Sequence, residues 1–178
     1  MAEHLRHKFS REGFLLRRNS IQTLHDFIES LQPHLRSPSP AQIAVALSQS
    51  LDEHCPPEYK PVASAPGFRL LLASTLNALN LAQAQQIPAA LASIYEALQK
   101  HLAEQGSALR GTRLSTINSP HSTVDCHLLL DGFFGFANCE ILLLRLLSQT
   151  IQVEIALPTG SDAQRTIDAL GPEIHHYS

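Results

Sequence analysis

The sequence predicts an α/β fold, a parallel sheet with flanking helices, plus an all-helical insertion. Two patterns carry that expectation. From Val124 the chain alternates strand 124–130, helix 138–149, strand 151–157, helix 161–170 and strand 173–177. Short loops between such elements favour parallel strands joined by right-handed crossovers. Before them, the middle of the chain shows helical spacing only. The expected division is an α/β core from residues 1–30 and 120–178, with 36–118 as the helical insertion.

The elements follow in order. Residues 2–12 read as a short polar helix closed by Gly13, and Phe14 to Arg18 as an extended segment. Leu24, Phe27, Ile28, Leu31 and Leu35 keep helical spacing until Pro33 cuts the helix short. Arg36-Ser37-Pro38-Ser39-Pro40 is a linker with a start signal built in. Ser39 suits an N-cap, Pro40 the first helical position, and Gln42 the far side of a capping box. Helix 40–53 then turns Ile43, Ala46, Leu47 and Leu51 inward, and Cys55-Pro56-Pro57 stops it. A third helix carries the stripe Phe68, Leu71, Leu72, Thr75, Leu76 and Leu79. A fourth, from Pro88 to about Gln105, buries Leu91, Ile94, Tyr95, Leu98 and Leu102 and ends at Gly106. In the α/β part, Cys126 to Leu130 is an apolar run, as expected for a buried parallel strand. Val153, Ile155 and Leu157 alternate with Gln152, Glu154 and Ala156, Ser161 caps the next helix, and Gly171 closes it.

Composition narrows the function. The chain has 178 residues, 44% of them apolar, enough for a packed core. A formal charge of −3 and a pI near 6.3 speak against non-specific coating of nucleic acid. Yet Arg6, Lys8, Arg11, Arg17 and Arg18 gather five of the thirteen Lys and Arg residues near the amino terminus. Such a patch suits phosphate, or simply a solvated face. Cys55, Cys126 and Cys139 form no Cys-x-x-Cys pair, so neither a disulfide framework nor a zinc or iron–sulfur site is expected. Met1 to Arg6 lacks signal-peptide character, and Ile141 to Leu147 is too short to span a bilayer. The expected compartment is the cytoplasm.

Asp131, at the end of the Cys126–Leu130 run, is the leading polar candidate. α/β proteins bind ligands at the carboxyl ends of their strands, and nucleotide enzymes often hold magnesium there with an Asp. Asp-Gly is equally a turn former. Phe133, Phe134 and Phe136 fit either base stacking or packing beneath the sheet. Ten histidines offer no His-x-x-x-His pair on a clear helix, and His175-His176 would face opposite sides of a strand. Gly-x-Ser-x-Gly is absent. No catalytic residue, metal ligand set or cofactor is expected.

Asp131-Gly132-Phe133-Phe134-Gly135-Phe136, the helix with Glu140, and Val153-Glu154-Ile155-Ala156-Leu157-Pro158 together resemble one family segment. It belongs to the inactivated helicase half of AddB-type ATP-dependent helicase–nuclease B subunits, which carry a PD-(D/E)XK nuclease domain further along. Ile21-Gln22-Thr23-Leu24-His25-Asp26-Phe27 is similar to the Thr-Phe-His segment of UvrD-like helicases, near the single-stranded DNA path. The resemblance implies a degenerate P-loop-helicase-like core. Asp131 would be the relic of its magnesium strand, and Thr23 and His25, with Arg17 and Arg18, the DNA contacts. Thr23 also suits a plain helix cap, with His25 in solvent. The departures bear on activity. None of the eight glycines precedes a lysine, so no phosphate loop is present, and Gly132 stands where a second acid would polarise water.

The implied function is non-catalytic. It is a helicase-like module of a DNA-repair helicase–nuclease system that supports or guides single-stranded DNA, with an AddA-like helicase subunit as partner and no membrane role. The competing expectation is a small cytoplasmic adaptor whose helical middle binds a protein. A metal-dependent hydrolase built on Asp131 ranks third.

Overall fold

Helix α1 (Leu24–Leu31) starts at Thr23, whose hydroxyl accepts the Asp26 N–H at 3.1 Å. Helix α2 (Pro40–His54) opens on a complete capping box, with the Gln42 N–H on Ser39 Oγ and the Ser39 N–H on Gln42 Oε1. Pro66 begins α3 (Pro66–Ala82), and Gln83 ends it in the left-handed region at φ 51°. Helix α4 (Ala89–Glu104) closes in a Schellman motif. Gly106, at φ 67°, donates to the Ala103 carbonyl and Ser107 to that of Leu102. A short helix α5 (Arg110–Ser115) follows that the sequence pattern does not announce.

The computed structural model describes residues 7, 8, 10–12, 21–117, 127–158, 160–170 and 175–177. Residues 7, 8, 10 and 11 are helical; the rest of the expected helix 2–12, Gly13 and the segment from Phe14 to Arg18 lie outside the described residues. After α5 come β1 (His127–Leu130), α6 (Asn138–Ser148), β2 (Gln152–Ala156), α7 (Ser161–Leu170) and β3 (His175–Tyr177). The chain is thus mixed α/β, mostly helical, with a small parallel sheet ordered β1-β2-β3. Leu129 pairs with Glu154 and Glu154 with His175. Helix α7 spans the expected 161–170, but its first carbonyl acceptor is Gly160, to which the Gln164 N–H bonds, so Ser161 lies in the helix and is not its cap.

Two apolar clusters hold the chain together. One gathers Leu47, Leu51, Leu72, Leu76, Ile94, Leu98, Leu102 and Leu109 from α2, α3, α4 and the turn after α4. The other joins Ile28 of α1 and Leu114 of α5 to Leu130, Leu144, Leu147, Val153, Ile155 and Leu170. Within α3 the inward line runs through Leu72, Leu76 and Asn80, not through Leu71, which is 67% exposed. Phe68, Leu72, Leu76 and Leu79 of the expected stripe do pack in the first cluster, and the buried polar Asn80 joins their side of the helix.

Right-handed crossovers in the order β1-β2-β3 set both connecting helices on one face. Burial alternates accordingly. Leu130, Val153 and Ile155 are buried, while His127, Leu129 and Gln152 on the other face are exposed. Helices flanking both faces, as a fully layered parallel sheet would have, are not seen among the described residues.

Candidate functional site at the carboxyl end of the sheet

Asp131 follows β1 directly, at the carboxyl end of the sheet, and is exposed. Gly132 takes φ 82°, a conformation that turns the chain sharply and disfavours any side chain. Asp131 makes no hydrogen bond or ion pair among the described residues. The loop then returns to the core. Phe133 stacks on Phe136 with ring centroids 5.0 Å apart, and Phe136 is buried. Phe134, between them, is 77% exposed. The three phenylalanines therefore divide: two pack and one does not.

The loop ends at the start of α6. The Glu140 carboxylate accepts the Ala137 N–H at 2.8 Å and holds Arg110 Nη2 at 2.6 Å, tying α6 to α5. Burial, with the Glu140 charge beside it, pushes the Cys139 thiol up to about 11. It stays protonated at neutral pH and offers no nucleophile. Beside Cys139 an open groove of about 290 Å³ is lined by Gln83, Leu114, Ile117, Leu142, Leu143 and Leu146. Leucines form half of its walls, Ser115 and Gln83 add uncharged polar groups, and no acid, histidine or lysine among the described residues lines it.

Thr23 is occupied as the cap of α1, and its hydroxyl also donates to the Asp26 carboxylate at 2.8 Å. His25 is exposed, with Nε2 3.9 Å from Glu29 Oε1. No hydrogen bond or ion pair joins either residue to Asp131 among the described residues. Arg17, Arg18 and Cys126 lie outside the described residues. Among the described residues no group of three His, Cys, Asp or Glu side chains is arranged to hold a metal ion. Nor is any helix there long and apolar enough to cross a membrane.

The largest departure from expectation is in α5. Arg113 is 1% exposed, and its Nη1 donates to Glu29 Oε1 at 2.5 Å and to Ser37 Oγ at 2.6 Å. Ser37 Oγ donates in turn to the same Glu29 oxygen at 2.7 Å. Partial burial raises the Glu29 carboxyl, but the hydrogen bonds from Ser37 and Arg113 and the charges of Arg113 and His25 outweigh it. The net effect holds Glu29 below the usual carboxylate value. No periodicity singles out Arg113. The only trace in the sequence is an arginine beside Leu109 and Leu114, in a stretch without acids. No family model, curated protein or solved structure matches the chain.

Proposed function

We propose that this chain is a non-catalytic, helicase-like module that supports or guides single-stranded DNA in a cytoplasmic DNA-repair helicase–nuclease system, alongside an AddA-like helicase subunit. The observation that carries the reading is the position of Asp131. It stands in solvent at the carboxyl end of a parallel strand, followed by a glycine in the left-handed region instead of a second acid. On this reading the sheet is a degenerate P-loop-helicase-like core, in which that position would be the relic of the magnesium carboxylate. The AddB-like segment from Asp131 to Pro158 and the Thr23–His25 segment support the same lineage.

Guidance of a single strand predicts micromolar or weaker binding to oligothymidine at low salt, read by fluorescence anisotropy. The chain with Arg17→Ala and Arg18→Ala is expected to bind about tenfold more weakly. Its log affinity against log salt should be shallower by about 1.4, two phosphate contacts' worth on single strands. Absence of binding at low salt, or indifference to both arginines, rejects the reading.

The adaptor reading has one observation in its favour. Leu70 and Leu71, adjacent on α3, are 75% and 67% exposed. A dye that fluoresces on apolar surfaces should then bind the native chain, and less so after Leu70→Ser with Leu71→Ser. Native protein that leaves the dye dark would end that alternative.

A further inference from the structure

We propose that Phe134 is a stacking platform for a nucleobase at the carboxyl end of the sheet. This role rests on the single-strand reading of the same edge and names the residue that would meet the bases. Three features converge on it. Phe133 and Phe136 stack on each other and anchor the loop, so Phe134 is not needed to hold it in place. At 77% exposure it is also more open than any other large apolar side chain among the described residues. Removing so large a ring from water is favourable for whatever covers it.

Its location is the second feature. Phe134 stands four residues beyond the end of β1, on the carboxyl side of the sheet, the side on which open α/β sheets bind their ligands. The third is charge. Exposed Asp131, in the same loop, disfavours a phosphate there. A flat, uncharged base face is then the part of a nucleic acid that this edge accepts, with the phosphates turned outward. Stacking of this kind tolerates any base, as a guide for an arbitrary single strand requires.

The experiment uses the full chain and labelled oligothymidine. Phe134→Ala is expected to weaken binding about tenfold, in the range for loss of one base–aromatic stack, while the salt slope stays as in wild type because no phosphate contact is lost. The chain has no tryptophan, so Phe134→Trp introduces a unique fluorophore. That variant should retain affinity, and its emission should fall when the oligonucleotide is added. Salt-dependent binding that is the same in Phe134→Ala as in wild type overturns the platform but leaves single-strand guidance standing. Unchanged Phe134→Trp emission on saturation does the same. If wild type binds no oligonucleotide at low salt, both fall together.

Discussion

Gly111→Ala is expected to destabilise the protein by about 4 kcal/mol, combining overpacking with the loss of buried hydrogen bonds. A Cβ at this position would overlap the backbone oxygen of Asn80. It would also lie 2.6 Å from Gln83 Nε2 and 2.7 Å from the Asn80 carboxamide oxygen. The Asn80 carbonyl belongs to α3 and cannot yield unless the helix moves. Asn80 is 2% exposed and joins three helices. It accepts the Gly111 N–H at 2.7 Å and donates to Tyr95 Oη and Thr112 Oγ1, both at 2.8 Å. Thr112 passes the chain on to Gln99 at 2.7 Å. Pushing α5 away therefore opens the buried Gly111–Asn80 bond together with the part-buried bonds of Thr112 to Asn80 and Gln99, and unpaired buried groups are costly. Urea unfolding measures the change. A midpoint indistinguishable from wild type would show that α3 and α5 do not approach so closely.

Glu29→Ala is expected to cost about 3 kcal/mol, the lower end for breaking a buried ion pair, because Glu29 itself is one-third exposed. The loss falls mainly on Arg113, whose Nε and Nη2 already lack partners among the described residues. Arg113→Met removes the stranded charge with it and should cost less than Glu29→Ala. If the order is reversed, the pair is not the reason the arginine is tolerated in the interior. The pH dependence has a definite sign. Since the folded carboxyl titrates below its ordinary value of 4.5, the stabilisation is complete above that value and fades as pH falls through the folded one. Unfolding curves of wild type and Glu29→Ala should therefore approach each other progressively as pH falls below 4.5.

Local chemistry was the readable part of the fold. Ser39, Pro40 and Gln42 announce α2 within four residues, and both halves of the capping box form. The alternation of Val153 and Ile155 with Gln152 and Glu154 appears as buried and solvent-facing sides of β2. Features that depend on distant partners were not readable. Asn80 is buried because Gly111, 31 residues on, lets α5 come close. Arg113 is buried because Glu29 waits 84 residues before it. A polar residue in a helix reads as solvated unless its partner is known, so nothing local singles out Asn80, and α5 is too short to carry a periodicity of its own. At the candidate site, Asp131 was legible as a strand end. Which of three neighbouring phenylalanines stays exposed depends on the ring stacking of the other two.

The split between the two apolar clusters also sets an order of events during synthesis. The cluster built on α2, α3 and α4 draws on a contiguous stretch, from Ile43 to Leu109, and its contacts close short loops. Helix α1 leaves the ribosome before any of it. Yet Ile28 belongs to the cluster of Leu114, Leu144 and Val153, and Glu29 pairs with Arg113, so α1 must wait for partners that come much later in the chain. Through that interval Leu24, Phe27, Ile28 and Leu31 form an uncovered apolar stripe on the nascent chain. α1 is thus made well before its partners, and that stripe is where a holding chaperone or a misfolded neighbour would first take hold.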